Sequence, residues 1–356
     1  MSEPRKTVTP GGYQDWETLV SLPALAAWMD AQGLGEGPID DPSLLGGGTQ
    51  NILLRFERAG RPYVLRRPPK HLRANSNETM RREARVLGAL KGSAVRHPGL
   101  IAACPQEDVL GVAFYLMEPV DGFVPREEMP PLHAGDPAVR RAMGFELVDA
   151  IAALAGVDHV ATGLSDLGKV DGFLERQVGR WRKQLESYAE FPEWPGLSNL
   201  PGVDEIGAWL DANRPTDFRP GLIHGDVNFG NVMYRRDGPE LAALVDWELT
   251  TLGDPLIDLG WLLCAWPPDG ADTGPVTPWT GFPSRAEIID RYESRTGRAV
   301  AHMADWYEVL ACFKLGAILE GTFARACAGR APQATGDALH ASTVALFERA
   351  RRKIGL

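Results

Sequence analysis

The feature that most constrains this chain is a change of hydrophobic period partway along it. Through roughly the first 120 residues, short β-prone apolar runs alternate with glycine and proline turns around a single helical stretch. Beyond Gly122 the apolar residues recur at helical spacing, and one compact β-prone island, 222–245, interrupts them. A small sheet followed by a long helical remainder predicts an α+β chain. The 356 residues are also too many for one compact core. The expected division is a sheet lobe with an N-terminal helical extension over 1–119 and a larger, mainly helical lobe over 120–356.

The first part reads as follows. Residues 14–33 form one or two short helices, with Ser21 as N-cap and Gly33 as stop. Gly46 to Gly48 turn the chain between Leu44-Leu45 and the strand Ile52 to Phe56. Ala59-Gly60-Arg61-Pro62 turn it again into the strand Tyr63 to Arg66. Asn77 to Leu90 is helical, and Val112 to Met117 is β-prone. In the second part, helices are expected over 137–156, 172–189, 203–212 and from Pro255 onward, with a Pro/Gly-rich loop at 267–283. The island holds Leu222-Ile223, then Asn231 to Tyr234 and Leu241 to Val245 joined by an Asp237-Gly238 turn, a good hairpin signal.

Composition excludes several classes. The net charge is −10, and the only dense basic runs are Arg66-Arg67, Arg81-Arg82 and Arg349 to Lys353. Nucleic-acid partners are therefore not expected, because phosphate contacts need clustered basic groups. The four cysteines, Cys104, Cys264, Cys312 and Cys327, show no C-x-x-C spacing, which argues against structural zinc and a disulfide framework. The N-terminus has no apolar signal core, and the most apolar run, Leu256 to Trp266, is short and broken by Asp258. The expectation is a cytoplasmic protein with no membrane partner.

The chemistry concentrates in His224-Gly225-Asp226-Val227-Asn228-Phe229-Gly230-Asn231 and, after the hairpin, Asp246-Trp247-Glu248. Phosphoryl transfer needs a carboxylate beside the acceptor hydroxyl, together with an amide oxygen and a second carboxylate to hold Mg²⁺ against the ATP phosphates. Asp226 and Asn231 are five apart, the Asp-to-Asn spacing of a kinase catalytic loop, and Asp246 arrives at the end of the second hairpin strand. The alternative is a hairpin whose Asp and Asn residues only cap turns.

Upstream lie candidates for a nucleotide clamp. Gly46, Gly47 and Gly48 can bring backbone N–H groups close to phosphate oxygens, or be a plain turn. Arg66 ends a strand where a kinase carries its V-A-I-K lysine, and Glu83 sits on the next helix where the ion-pair partner belongs. Met117, Glu118 and Val120 form the expected adenine-binding hinge, with Pro119 contributing no N–H.

These residues resemble the aminoglycoside phosphotransferase and choline-kinase-like group of the protein-kinase-like fold, whose marks are HGD-x-x-x-x-N and a following D-x-E. The resemblance covers roughly residues 20–340. It points most strongly to kinase-like domains fused to some acyl-CoA dehydrogenases, through the blocks GGGTQN, YVLRRPP, FYLMEPVDG, RQVGRW, VDWELTTLGDPLIDL and FKLGAILEG. It implies a bilobal fold, ATP and Mg²⁺ as cofactors, and phosphorylation of a small-molecule hydroxyl. By resemblance Asp226 is the base, Asn231 and Asp246 are the metal ligands, and His224 braces the loop. Thr49 and Asn51 join the glycines in the nucleotide-binding set. Asp254 and Pro255 open a helix, and Asp258 within it is expected to brace the catalytic loop. Glu248 is a further acid of the metal loop. Most kinases have lysine where this chain has Arg66; arginine forks and does not simply replace a point charge.

Two readings of different class remain: an active kinase, favoured by the intact Asp226, Asn231 and Asp246, and a nucleotide-binding pseudokinase with a regulatory role, favoured only by Arg66. Two acceptor classes compete as well. An aminoglycoside is a polycation and would want an acidic cleft. A hydroxyacyl-CoA is a polyanion with an apolar chain. It would want cations such as Arg176, Arg180, Arg182 and Lys183 around Trp181, and Lys314, beside an apolar wall drawn from Trp247, Trp261, Trp266 and Trp306. The resemblance favours the second. Taken singly, each of these has a plainer role as core tryptophan or solvated charge.

Overall fold

The structure, a computed structural model, describes residues 16–46 and 51–356. Backbone contacts divide the chain into two compact units. The first runs to Gly92 and takes in His97–Asp121; the second comprises Ser93–Arg96 and Gly122–Leu356.

The first unit begins with α1 (Leu22–Ala31), capped by the Ser21 hydroxyl accepting from the Ala24 N–H. A five-stranded antiparallel sheet follows, built from β1 (Asp40–Leu44), β2 (Ile52–Arg58), β3 (Arg61–Arg67), β4 (Leu100–Cys104) and β5 (Phe114–Met117) in the order β1-β2-β3-β5-β4. Helix α2 (Ser76–Ala89) connects β3 to β4. Along β2, Ile52, Leu54 and Phe56 are buried while Arg55 is exposed. This period-2 pattern sets the register, since a one-residue slip would turn the apolar set to solvent. Leu25 and Met29 of α1 complete a core with Leu54, Phe56, Leu65, Phe114 and Leu116. Strands β1 and β4 are the two edges; the sequence marks β1 only by its end at Leu44-Leu45 and does not mark β4. An edge strand is less completely buried and carries a weaker pattern, and β1 even accommodates Pro42.

The second unit is mainly helical: α3 (Pro131–Gly135), α4 (Pro137–Ala155), α5 (Glu175–Ser187), α6 (Val203–Ala212), α7 (Leu256–Ala265), α8 (Arg285–Thr296), α9 (Ala304–Cys327) and α10 (Gln333–Lys353). Its short strands are β6 (Gly221–Ile223), β7 (Val232–Tyr234), β8 (Leu241–Leu244) and β9 (Thr251–Gly253). The single island expected from the sequence is two separate pairs. β7 and β8 form the hairpin, whereas β6 pairs with β9, an unforeseen strand. One helix crossing positions the site. A Cβ on Gly260 of α7 would lie 2.5 Å from the Tyr307 carbonyl oxygen of α9, so glycine lets these helices meet closely. Lys314 lies two turns beyond Tyr307 on α9. No helix among the described residues is long and apolar enough to cross a membrane.

Candidate active site

In the second unit, residues 224–231 link β6 to β7, and Asp246 follows β8. The loop is fastened at its start. The Asp258 carboxylate, buried on α7, accepts the His224 N–H at 2.7 Å and the Gly225 N–H at 2.8 Å. Gly225 adopts φ +89°, and a Cβ there would meet the Leu249 carbonyl oxygen at 2.9 Å, so this position takes glycine for two reasons. Burial pulls the fully enclosed His224 ring down to about 4. The ring is therefore neutral at pH 7, and its contact with the Val245 carbonyl at 3.0 Å assigns the proton to Nε2. Its Nδ1 then accepts the Asp226 N–H at 3.4 Å. Since Val245 directly precedes Asp246, His224 ties the loop to the strand end that carries the second carboxylate.

Asp226 is the convergence point. Its Oδ1 accepts from Asn228 Nδ2 and Trp261 Nε1, both at 3.1 Å, and its Oδ2 accepts from Asn231 Nδ2 at 2.7 Å. Burial raises its pKa, opposed by these three hydrogen bonds and by the charge of Lys314. It remains partly accessible. Because Asn231 spends its Nδ2 on Asp226, its Oδ1 is the atom left for a cation. Asp246 sits in the left-handed region at φ 65°, rare for a non-glycine residue and characteristic of strained functional positions. One carboxylate oxygen of Asp246 and one of Glu248 lie within 4.8 Å of each other. An all-oxygen donor set of this kind fits a hard divalent cation such as Mg²⁺.

Asn228 and Phe229 carry roles that their place in the motif does not announce. Asn228 also accepts the Gly230 N–H at 2.8 Å, closing the loop on itself. Phe229 is buried against Trp266, Trp279 and Phe282, with centroids at 5.7, 5.9 and 5.3 Å. The Pro/Gly-rich 267–283 segment thus folds back onto the 224–231 loop. Of the tryptophans expected as an apolar wall, Trp247, Trp266 and Trp306 are core residues whose indole N–H groups donate to the carbonyls of Leu244, Pro283 and Leu210. Trp261 alone among the described tryptophans donates to Asp226.

The candidate cations separate in the same way. Lys314 Nζ donates to the Gly225 carbonyl at 3.2 Å and lies 4.2 Å from the Trp261 centroid and 5.7 Å from that of Trp181. The Arg180 guanidinium lies 4.9 Å from the Trp181 centroid. Arg176 instead serves the turn before α5, donating to the carbonyls of Asp171 and, at 2.7 Å, Lys169. Arg182 pairs with Glu186 and Asp204.

In the first unit, Arg66 and Glu83 form a buried ion pair: Nη2 donates to Oε1 at 3.1 Å, and Nε lies 2.8 Å from Oε2. The Tyr115 hydroxyl adds a hydrogen bond to Glu83 at 2.7 Å. At the expected hinge, the Glu118 N–H is already spent on the Gly99 carbonyl at 2.8 Å. With Pro119 also excluded, Val120 is the N–H beyond it in this segment, while Met117 lies in β5. Gly46 is an exposed bend after β1, and Asn51 opens into β2. Gly47, Gly48 and Thr49 lie outside the described residues.

Comparison with known proteins gives a consistent picture. A family model described as the phosphotransferase enzyme family (APH) matches residues 43–304. Acyl-CoA dehydrogenase family member 10 of Mus musculus is 30% identical over 295 residues, which is 81% of this chain but 27% of that protein's length. A solved structure from Ralstonia eutropha JMP134, assigned provisionally to the aminoglycoside phosphotransferases, is 30% identical. It superposes with a TM-score of 0.75 over 93% of this chain and 98% of that one. A thermostable mutant of aminoglycoside phosphotransferase APH(4)-Ia, in ternary complex with ADP and hygromycin B, is 14% identical. It shares the fold at a TM-score of 0.56 over 93% of this chain and 98% of its own.

Proposed function

Since this chain belongs to the phosphotransferase enzyme family, we propose that it is an ATP- and Mg²⁺-dependent small-molecule kinase whose acceptor is the hydroxyl of a hydroxyacyl-CoA. The observation that carries the kinase reading is the setting of Asp226. Its carboxylate is oriented by Asn228, Asn231 and Trp261 in a loop braced by His224 and Asp258, and it stays accessible. A plain turn-capping aspartate does not need three side-chain donors and a separately anchored backbone.

In the proposed reaction Asp226 accepts the hydroxyl proton as the acceptor oxygen bonds to the γ-phosphorus. The bond from that phosphorus to the β–γ bridging oxygen breaks, and ADP leaves with the electron pair. A carboxylate whose pKa burial raises is a better proton acceptor than an exposed one. Asn231, through Oδ1, and Asp246 would hold Mg²⁺, with Glu248 beside them. When bound, that ion neutralises charge on the ATP phosphates. Arg66, fixed by Glu83 and Tyr115, would contribute its guanidinium to nucleotide binding by the N-terminal lobe.

The acceptor assignment rests on the kinship with an acyl-CoA dehydrogenase family member, of which this chain spans about a quarter. The test is a paired assay: purified protein with ATP and Mg²⁺, a panel of hydroxyacyl-CoAs and a panel of aminoglycosides, scored as ADP release with product mass. Phosphorylated acyl-CoA with no reaction on aminoglycosides is expected. The reverse result would overturn the acceptor, and ADP release with neither panel would count against the kinase reading.

A further inference from the structure

We propose that Lys314, set between Trp261 and Trp181, is the acceptor-recognising cation of this site. It takes a carboxyl-derived oxygen, either a carboxylate or a thioester carbonyl, that the acceptor carries on the same chain as the hydroxyl to be phosphorylated. The proposal rests on the phosphotransferase reading and names the chemistry that site selects.

The close α7–α9 crossing at Gly260 sets Trp261 beside Lys314. A single indole therefore does two things: its N–H donates to Asp226 Oδ1 at 3.1 Å, and its face lies 4.2 Å from the ammonium. The ammonium has three donors. Among the described residues its hydrogen-bond acceptor is the Gly225 carbonyl, one residue before Asp226. The nearby carboxylates are otherwise engaged. Asp258 receives the His224 and Gly225 N–H groups, and Asp226 receives Asn228, Asn231 and Trp261. Asp258 and Asp226 attract Lys314 without taking its protons, Arg180 repels it, and burial brings its pKa down to about 8.

A half-buried ammonium between two indole faces, with donors beyond the one taken by Gly225, is a ready partner for an acceptor oxygen. Lys314 is only partly covered, and the Trp181 and Trp261 faces beside it suit an apolar chain. A polycationic sugar would meet repulsion at the same point.

The experiment uses the full chain and the variants Lys314→Met and Lys314→Arg, each first checked for a wild-type melting profile. The probes are hydroxyoctanoate, its pantetheine thioester and octanediol, which share a chain and a hydroxyl. The thioester lacks the nucleotide phosphates of CoA. Binding is read by calorimetry and turnover by ADP release. Lys314→Met is expected to weaken whichever carboxyl-derived probe the wild type prefers by about tenfold or more, the usual weight of a charge-assisted hydrogen bond. It should leave the octanediol affinity, read by calorimetry, within about twofold, and Lys314→Arg should recover part of the loss. Preference for the free acid assigns a carboxylate; preference for the thioester assigns a carbonyl. Equal loss on octanediol, no loss on either carboxyl probe, or no binding of any probe by wild type would overturn the subsite. Lys314-dependent binding without ADP release would uphold the subsite and count against phosphotransfer. Turnover of octanediol equal to that of the carboxyl probes, unchanged in Lys314→Met, would do the reverse.

Discussion

Replacing Asp258 with asparagine sets two effects of similar size against each other. The carboxylate accepts two buried N–H groups at 2.7 and 2.8 Å, and an amide offers one oxygen and turns its NH₂ toward the second donor. Losing one hydrogen bond to a charged acceptor costs about 1.5–3 kcal/mol. Against this, burial raises the Asp258 pKa from 3.8 to about 6. Above pH 6 the ionised form is held at a cost of about 3 kcal/mol, which a neutral amide does not incur. The two nearly cancel at pH 7.5, so Asp258→Asn should fall within about 1.5 kcal/mol of wild type there. Asp258→Ala, which orphans both donors, should lose about 1–3 kcal/mol more than the asparagine variant. The pH dependence is sharper. A raised acid pKa means that the native state binds the extra proton, so this group's contribution is fully present below pH 3.8 and is lost as pH rises through 6. The stability gap between wild type and Asp258→Asn should therefore widen by roughly 2 kcal/mol between pH 7.5 and pH 4, most of the full effect. Urea unfolding of both proteins across that range measures it. Amide exchange at His224 and Gly225 follows the local effect, since the two units need not unfold together. A gap that does not change with pH would refute the account of Asp258 as a buried, reluctantly ionised brace.

Further perturbations report on separate parts of the site. Arg66→Ala should raise the apparent KM for ATP and lower turnover, and Arg66→Lys should restore only part, because lysine cannot reproduce the two-nitrogen contact with Glu83; unchanged ATP kinetics in Arg66→Ala would remove Arg66 from nucleotide binding. Asp246→Ala should abolish Mg²⁺-dependent nucleotide binding, and Asn231→Ala should weaken it less, since a carboxylate holds a hard cation more strongly than an amide oxygen. Mg²⁺ titration at fixed ATP decides this, and negligible effects in both would dissociate them from the metal. Trp261→Phe keeps a ring beside Lys314 but removes the donor to Asp226. Turnover should drop by about tenfold with ATP affinity unchanged, and wild-type turnover would show that the indole does not orient the carboxylate.

What was legible in the sequence was local. The Asp237-Gly238 turn and its flanking apolar runs specify the β7–β8 hairpin by short-range geometry, and Asp226 and Asn231 share one loop, so their contact follows from spacing. The Arg66–Glu83 pair was readable because a strand end and the next helix are consecutive elements. What was not legible depends on distant elements. β6 chooses β9 over the adjacent hairpin, and nothing in the three residues Gly221 to Ile223 encodes that choice. The meeting of Trp261, Lys314 and Asp226 depends on how closely two helices cross, which a glycine permits but does not announce. The tryptophans looked equivalent in sequence, yet core packing claims Trp247, Trp266 and Trp306. Glu118 likewise reads as a hinge donor until its N–H is found on Gly99.

The central claim, that Asp226 is the base of a phosphotransferase, is tested most directly by Asp226→Asn. ADP release in the presence of the phosphorylated acceptor, with ATP–Mg²⁺ affinity by calorimetry alongside, separates chemistry from binding. Turnover should fall by about 100-fold or more, while ATP affinity stays within about threefold of wild type, because the carboxylate takes the acceptor's proton and does not hold the nucleotide. Near-wild-type turnover in Asp226→Asn would contradict the assignment.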